Sequence, residues 1–211
     1  MKGLTSIFCV CMAVAVNAQT WTEPRVPGEC LDGLSSTEVV YVYNVEADAF
    51  AMYGMTGNNQ VCATRLTNGD TKVTVPQQSY VFVEDGKVRI RNKERGGSNY
   101  FSCQTDAAFD VVMNRNVNPY FAYAEAEMEN VYTLTNTEFG KALDVSWTYG
   151  GHLTLTEGAG LTRWAFIKEE NVTNGKYAVY KARRKMYAIY RALADGGKDG
   201  MHKDALDEAL V

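Results

Sequence analysis

The chain has 211 residues, 46% hydrophobic and 22% charged, with only 4 prolines, a composition that can bury a real core and excludes collagen-like or low-complexity protein. Its formal net charge of −4 and pI near 5.3 lack the basic footprint of duplex-binding proteins, so nucleic acid is not an expected partner. The one long apolar run is N-terminal and too short to span a bilayer, so no transmembrane span is expected.

That run, Leu4 to Val16, follows the cation Lys2 and is closed by Val16-Asn17-Ala18, the order of a signal peptide (1–18) cleaved after Ala18. The mature chain is then expected outside the cytoplasm: extracellular, periplasmic or on the cell surface. It keeps three cysteines, Cys30, Cys62 and Cys103, which allow at most one intramolecular disulfide and form no C-x-x-C pair. With only two histidines, His152 and His202, no Cys/His site assembles from sequence neighbours, and neither metal nor cofactor is expected. Residues 19–37 contain Pro24, Pro27, Gly28 and Gly33 with little periodicity, which predicts an extended lead-in and not a packed element.

From Glu38 to about Glu170 short alternating runs dominate: 39–43, 72–75, 80–83, 87–91, 132–135, 152–156 and 164–167. Gly/Asn/Asp turn signals separate them roughly every ten residues, predicting an all-β antiparallel sandwich or barrel. Three strand-then-asparagine segments end at Asn44, Asn92 and Asn136, a period near 45. Each is followed by a large apolar residue (Phe50, Phe101, Leu143) and ends in an aromatic-rich strand (Tyr80/Phe82, Tyr120/Phe121, Trp164/Phe166). Three units of four strands fit 38–170, and a three-fold closed barrel leaves no exposed sheet edge.

After Asn174-Gly175 the period changes from 2 to 3.6. Over Lys176–Ala194 one broad face takes Tyr177, Val179, Tyr180, Met186, Tyr187, Ile189, Tyr190 and Leu193, and the opposite face takes Lys181, Arg184, Lys185 and Arg191. Residues 176–193 carry six Lys/Arg and no acid, whereas 19–175 balance to −8, so the helix is expected to dock on its own domain or on partner helices with a solvated basic face. A second helical pattern begins near Met201 and runs to Val211, as a helical linker (174–211) leading into a further region would.

Catalytic signatures are weak. Asp195 to Gly200 imitates a calcium loop, but Gly197 and Leu206 stand where ligands are needed. No G-x-S-x-G, Walker-type G-K-[ST] or H-E-x-x-H occurs, and a Cys103/His152 nucleophile pair rests on residue type alone. A non-catalytic protein is the expectation.

In the third unit, Gly140-Lys141-Ala142-Leu143-Asp144-Val145, Gly151-His152-Leu153-Thr154-Leu155 and Thr162-Arg163-Trp164-Ala165-Phe166 resemble a ricin-type β-trefoil repeat, with its G-K-x-L-D-V, G-x-x-L-x-L and Q-x-W elements. Repeat count extends the resemblance to 38–170, although the motifs lie within 140–167. Thr162 replaces the family's Gln, and Met52 and Cys103 fall near the place of Asp144 in the other units. The chain also resembles trefoil modules near the N-terminus of multidomain secreted bacterial proteins, which are followed by helical linkers. The resemblance implies a β-trefoil with a C-terminal helical segment and, in sugar-binding members, a glycan site. Carried over, Asp144 is the hydroxyl-binding acceptor, Trp147 or Tyr149 the stacking platform, and His152 a supplementary contact. The expected function is a secreted carbohydrate-binding module. The alternatives are a protein-interaction module whose 176–193 helix engages downstream domains or a partner, or the non-catalytic part of a secreted hydrolase.

Overall fold

The computed structural model describes residues 22–53, 60–65, 75–94, 97, 99–105, 111–114 and 117–194. The leader, residues 72–74 of one predicted strand, the 195–200 loop and the helical pattern beyond Met201 lie outside the described residues.

Twelve strands are found among the described residues: β1 (Val40–Asn44), β2 (Ala49–Tyr53), β3 (Val61–Thr64), β4 (Gln78–Glu84), β5 (Lys87–Asn92), β6 (Tyr100–Cys103), β7 (Val111–Asn114), β8 (Phe121–Glu125), β9 (Val131–Asn136), β10 (Ala142–Ser146), β11 (His152–Thr156) and β12 (Arg163–Lys168). Six of them close a ring, β1–β4–β5–β8–β9–β12, in which β12 pairs back onto β1 (Val40↔Lys168 to Asn44↔Trp164). The remaining pairs, β2–β3, β6–β7 and β10–β11, are three hairpins that meet through the β11–β3 pairing and the Gln60↔Val112 bridge. A six-stranded barrel capped by three hairpins, four strands to each unit, is the expected β-trefoil.

Period-2 alternation explains why these segments are strands: Val81, Val88, Ile90, Leu134, Leu143, Val145, Leu153, Trp164 and Phe166 point inward and are buried together. Two of the three repeated asparagines tie neighbouring units together. Asn44 Nδ2 donates to the Leu161 carbonyl (2.6 Å), and Asn92 Nδ2 donates to the Pro76 carbonyl (2.7 Å), so each reaches the loop before the last strand of the preceding unit. Their Oδ1 atoms, with that of Asn136, accept backbone N–H groups of the turns that follow. Asn136 Nδ2 is buried without a hydrogen-bond partner among the described residues.

Register corrects part of the repeat reading. Tyr43↔Phe50, Arg91↔Tyr100 and Thr135↔Ala142 are equivalent pairs, so Ala51, not Phe50, matches Phe101 and Leu143, and Ser102, not Cys103, stands with Met52 in the place of Asp144. Phe50 points away from the barrel interior, because a one-residue offset in a strand reverses the face. It joins Tyr43 and Tyr177 in a second cluster on the outside of the barrel.

That cluster is built by the flanking segments. The lead-in is extended, but its described part is packed: Leu31 is buried in the main core, Val26 in the outer cluster, and Glu29 N–H donates to the Phe166 carbonyl at 2.8 Å. After the short helix α1 (Glu169–Thr173), helix α2 spans Lys176–Ala194, the predicted range. Tyr177 and Tyr180 are buried against Tyr43. Lys181, placed on the solvated face from sequence, instead forms an ion pair with Asp48, and Arg184 donates to the Tyr43 hydroxyl (3.0 Å). The physical reason is that the buried Tyr43 hydroxyl and the part-buried Asp48 carboxylate need polar partners, and long cationic side chains reach them from the edge of an apolar face. Val179 and Met186, assigned to the apolar face, are 58% and 50% exposed.

Candidate functional site

Directly opposed residues of an antiparallel pair project to the same side. The register Asp144↔Thr154 and Ser146↔His152 therefore puts Asp144, Ser146, His152 and Thr154 on the side of the β10–β11 hairpin opposite the core residues Leu143, Val145 and Leu153, with Thr154 covered there and the other three part-exposed. The His152↔Cys62 pairing extends that face onto β3. The hairpin tip is a single 3-10 turn, Trp147–Tyr149, closed by Gly150 at φ 68° and Gly151 at φ 82°, conformations that L side chains rarely adopt.

Trp147 is 37% exposed at this tip. Its ring lies so close to Gly151 that a Cβ there would sit 2.8 Å from the indole, and the Arg65 guanidinium stacks over it at 4.4 Å from the ring centre. One indole face is thus covered by a cation from 82 positions away in sequence, a contact without any local signal. Arg65 is itself tethered by an Nε hydrogen bond to the Ala47 carbonyl (3.2 Å). Tyr149 is in the turn, but its side chain lies outside the described residues.

Asp144 accepts a hydrogen bond from Leu161 N–H at 2.6 Å, fastening the β11–β12 loop to the hairpin. Gly160 packs closely beside it, so that a Cβ there would approach the carboxylate to 2.9 Å and push the side chain aside. Burial pushes the Asp144 carboxyl above the usual aspartate range, the hydrogen bonds from Leu161 and Val145 counteract this, and the charge of Glu46 adds to the rise. The acceptor inferred from the motif therefore also has a structural duty.

His152 Nδ1 is 3.8 Å from Cys62 Sγ. The thiol beside the imidazole is Cys62, not Cys103, which is buried in the barrel core. Burial raises the Cys62 thiol and lowers the His152 imidazole, so both favour their neutral forms, the reverse of an activated thiolate–imidazolium pair. None of Cys30, Cys62 and Cys103 is in a disulfide. Among the described residues no group of three or more His, Cys, Asp or Glu side chains is placed to hold a metal, and no helix is long and apolar enough to cross a membrane.

The arrangement is thus one face carrying a partly buried carboxylate, an imidazole whose burial favours its neutral form and the Ser146 hydroxyl, with Thr154 buried beside them and a half-capped indole at the tip. Among the described residues only the third unit has it, because Met52 and Ser102 stand in the place of Asp144 in the other two.

This barrel with three capping hairpins is a β-trefoil. No protein-family model matches the chain, and no curated protein does. Among solved structures it is similar in fold to a Polyporus squamosus lectin bound to an influenza-binding epitope, Neu5Aca2-6Galb1-4GlcNAc, at 13% identity and a TM-score of 0.51, over 64% of this chain and 50% of that one. It is also similar to a GlcNAc[alpha]1-4Gal releasing endo-[beta]-galactosidase from Clostridium perfringens, at 13% identity and a TM-score of 0.50, over 63% of this chain and 32% of that one. The likeness spans half of the lectin chain and about a third of the galactosidase chain, and at this identity it shows the fold alone.

Proposed function

We propose that the protein is a secreted, non-catalytic carbohydrate-binding module, the N-terminal part of a larger protein, whose glycan site is the outward face and tip of the β10–β11 hairpin. The observation that carries this reading is the convergence of Asp144, His152 and the exposed edge of Trp147 on one hairpin. Sugar recognition needs a carboxylate acceptor for hydroxyls, polar side chains to complete the set and an aromatic surface for the ring's C–H groups. Tyr149 is the second candidate platform. The lectin neighbour supports the reading by its fold.

A single shallow site with a few hydrogen bonds of about 1 kcal/mol each gives roughly millimolar to tens-of-micromolar affinity. A glycan array with the mature protein, followed by calorimetry, tests this. Asp144→Asn keeps an oxygen for Leu161 N–H while removing the charge, and Trp147→Ala removes the platform. The expected result is a hit weakened by both changes with unfolding behaviour retained; a blank array, or a hit insensitive to both, rejects the site.

A second reading, a protein-interaction module, is favoured by the exposure of Val179 and Met186 on α2. In that case a partner or downstream domain takes the outer side of the helix, because Tyr177, Tyr180, Lys181 and Arg184 are engaged by the barrel.

A further inference from the structure

The outward face of the β4–β5 hairpin is far from ordinary for an acidic chain. Along β5 the inward residues are Val88 and Ile90, and the outward ones are Lys87, Arg89 and Arg91. Their partners on β4 are Glu84, Phe82 and Tyr80. Arg89 lies over three rings, Phe82 (5.6 Å), Tyr100 (5.2 Å) and Tyr120 (5.2 Å), and Arg91 over two, Tyr80 (5.2 Å) and Phe82 (4.9 Å). Lys87 lies 5.9 Å from the Tyr120 ring. Three cations thus share one row in which neighbours stand about 7 Å apart, the spacing of alternate strand residues.

Among the described residues little neutralises them: the one carboxylate in an ion pair with the row is Glu84, 3.6 Å from Arg89 and itself mostly exposed, and Arg91 Nη1 donates to the Gly97 carbonyl at 3.3 Å. Arg89 Nε and Arg91 Nε are buried without hydrogen-bond partners among the described residues. Stacking between rings fixes both guanidinium groups without cancelling their charge, which preorganises a positive row of about 13 Å.

We propose that this row binds an anionic polysaccharide, carboxylated or sulfated, at a surface separate from the β10–β11 hairpin. Length favours an extended polymer over a single anion, because three charges in line are engaged together only by a repeating ligand. Charge complementarity favours an acidic one. Single-stranded nucleic acid is disfavoured because the ring faces it would stack on are covered by the guanidinium groups and the chain as a whole is acidic.

The test is affinity electrophoresis and calorimetry of the mature full chain with heparin, polygalacturonate, neutral dextran and single-stranded DNA. The expected result is binding to heparin, polygalacturonate or both at low salt, lost by ~0.5 M NaCl, with dextran unbound. Heparin alone would assign sulfate, and both together would assign anionic charge in general. Lys87→Glu, at an exposed side chain, and Arg91→Gln should each weaken binding by about tenfold, whereas Asp144→Asn should leave it unchanged. No binding to either polyanion, binding indifferent to both row variants, or equally strong DNA binding with the same sensitivities overturns the proposal.

Discussion

Asn92 and Asn136 occupy equivalent places in consecutive units, but they should not be equivalent in energy. Asn92 Nδ2 donates to Pro76 (2.7 Å) and Gln78 (3.2 Å), and its Oδ1 accepts from Glu94 N–H (3.0 Å). Replacing Asn92 with alanine removes three hydrogen bonds at a buried position, about 3 kcal/mol at roughly 1 kcal/mol each. Asn136 keeps two Oδ1 bonds, to Glu138 and Phe139 N–H, both at 3.0 Å, but its buried Nδ2 is unpaired. Alanine there loses about 2 kcal/mol of bonding and recovers about 1 kcal/mol or more of desolvation cost, leaving a net loss near 1 kcal/mol. Urea unfolding of both variants, at constant slope, should therefore separate them by about 2 kcal/mol. Equal losses, or a larger loss at Asn136, would refute the inter-unit clamp as the reason for the repeated asparagine.

Gly151→Ala should cost about 2 kcal/mol or more and shift the Trp147 emission, because its Cβ would meet the Ala63 carbonyl and the indole at 2.8 Å; Gly150→Ala, with open space around it, should cost only about 1 kcal/mol for its positive φ, and thermal melts compare the two. Tyr180→Ala should destabilise by about 2 to 3 kcal/mol and raise the protease sensitivity of α2, both measurable by unfolding and limited proteolysis. For pH, burial depresses His152 in the folded state, so its contribution is present above the unfolded value near 6.5 and is lost as pH falls through the folded value. Burial alone would raise Asp48, but Lys181, Tyr43 and Arg184 hold it low, so its contribution is lost only as pH falls below about 4. The urea midpoint should therefore fall first as pH drops below about 6.5, and His152→Gln should flatten that first limb alone.

The barrel was legible in the sequence where alternation is strong: β1, β4, β5, β9, β11 and β12 coincide with the runs around Val42, Val81, Val88, Leu134, Leu153 and Phe166. The segments β2, β3, β6, β7 and β10 are short or carry Ala, Ser and Cys, so their period-2 signal is faint, and β8 was marked by Tyr120/Phe121 alone. Helix α2 was readable over its described range, since Gly175 marks its start and the 3.6 period its course. Its docking side was misjudged because moment arguments send Lys181 and Arg184 outward, whereas Asp48 and the Tyr43 hydroxyl draw them in. Of the site, the motif located Asp144, Trp147 and His152 on one hairpin. It could not show Leu161 on the carboxylate, Arg65 over the indole or Cys62 beside the imidazole, which are contacts between chain-distant loops and strands. The lead-in was missed for the same reason: Val26 and Leu31 are isolated apolar residues without a period, buried by what folds over them.

Chemical-shift mapping of the isotopically labelled mature protein, titrated with the best glycan from the array, tests the carbohydrate site most directly. The account predicts saturable shifts at the backbone amides of Asp144, Ser146 and His152 and at the Trp147 indole N–H, with the amides of Tyr43 and Tyr180 unmoved and the affinity weakened in Asp144→Asn. Saturable shifts confined to another face of the barrel, or none at concentrations well above millimolar, would contradict it.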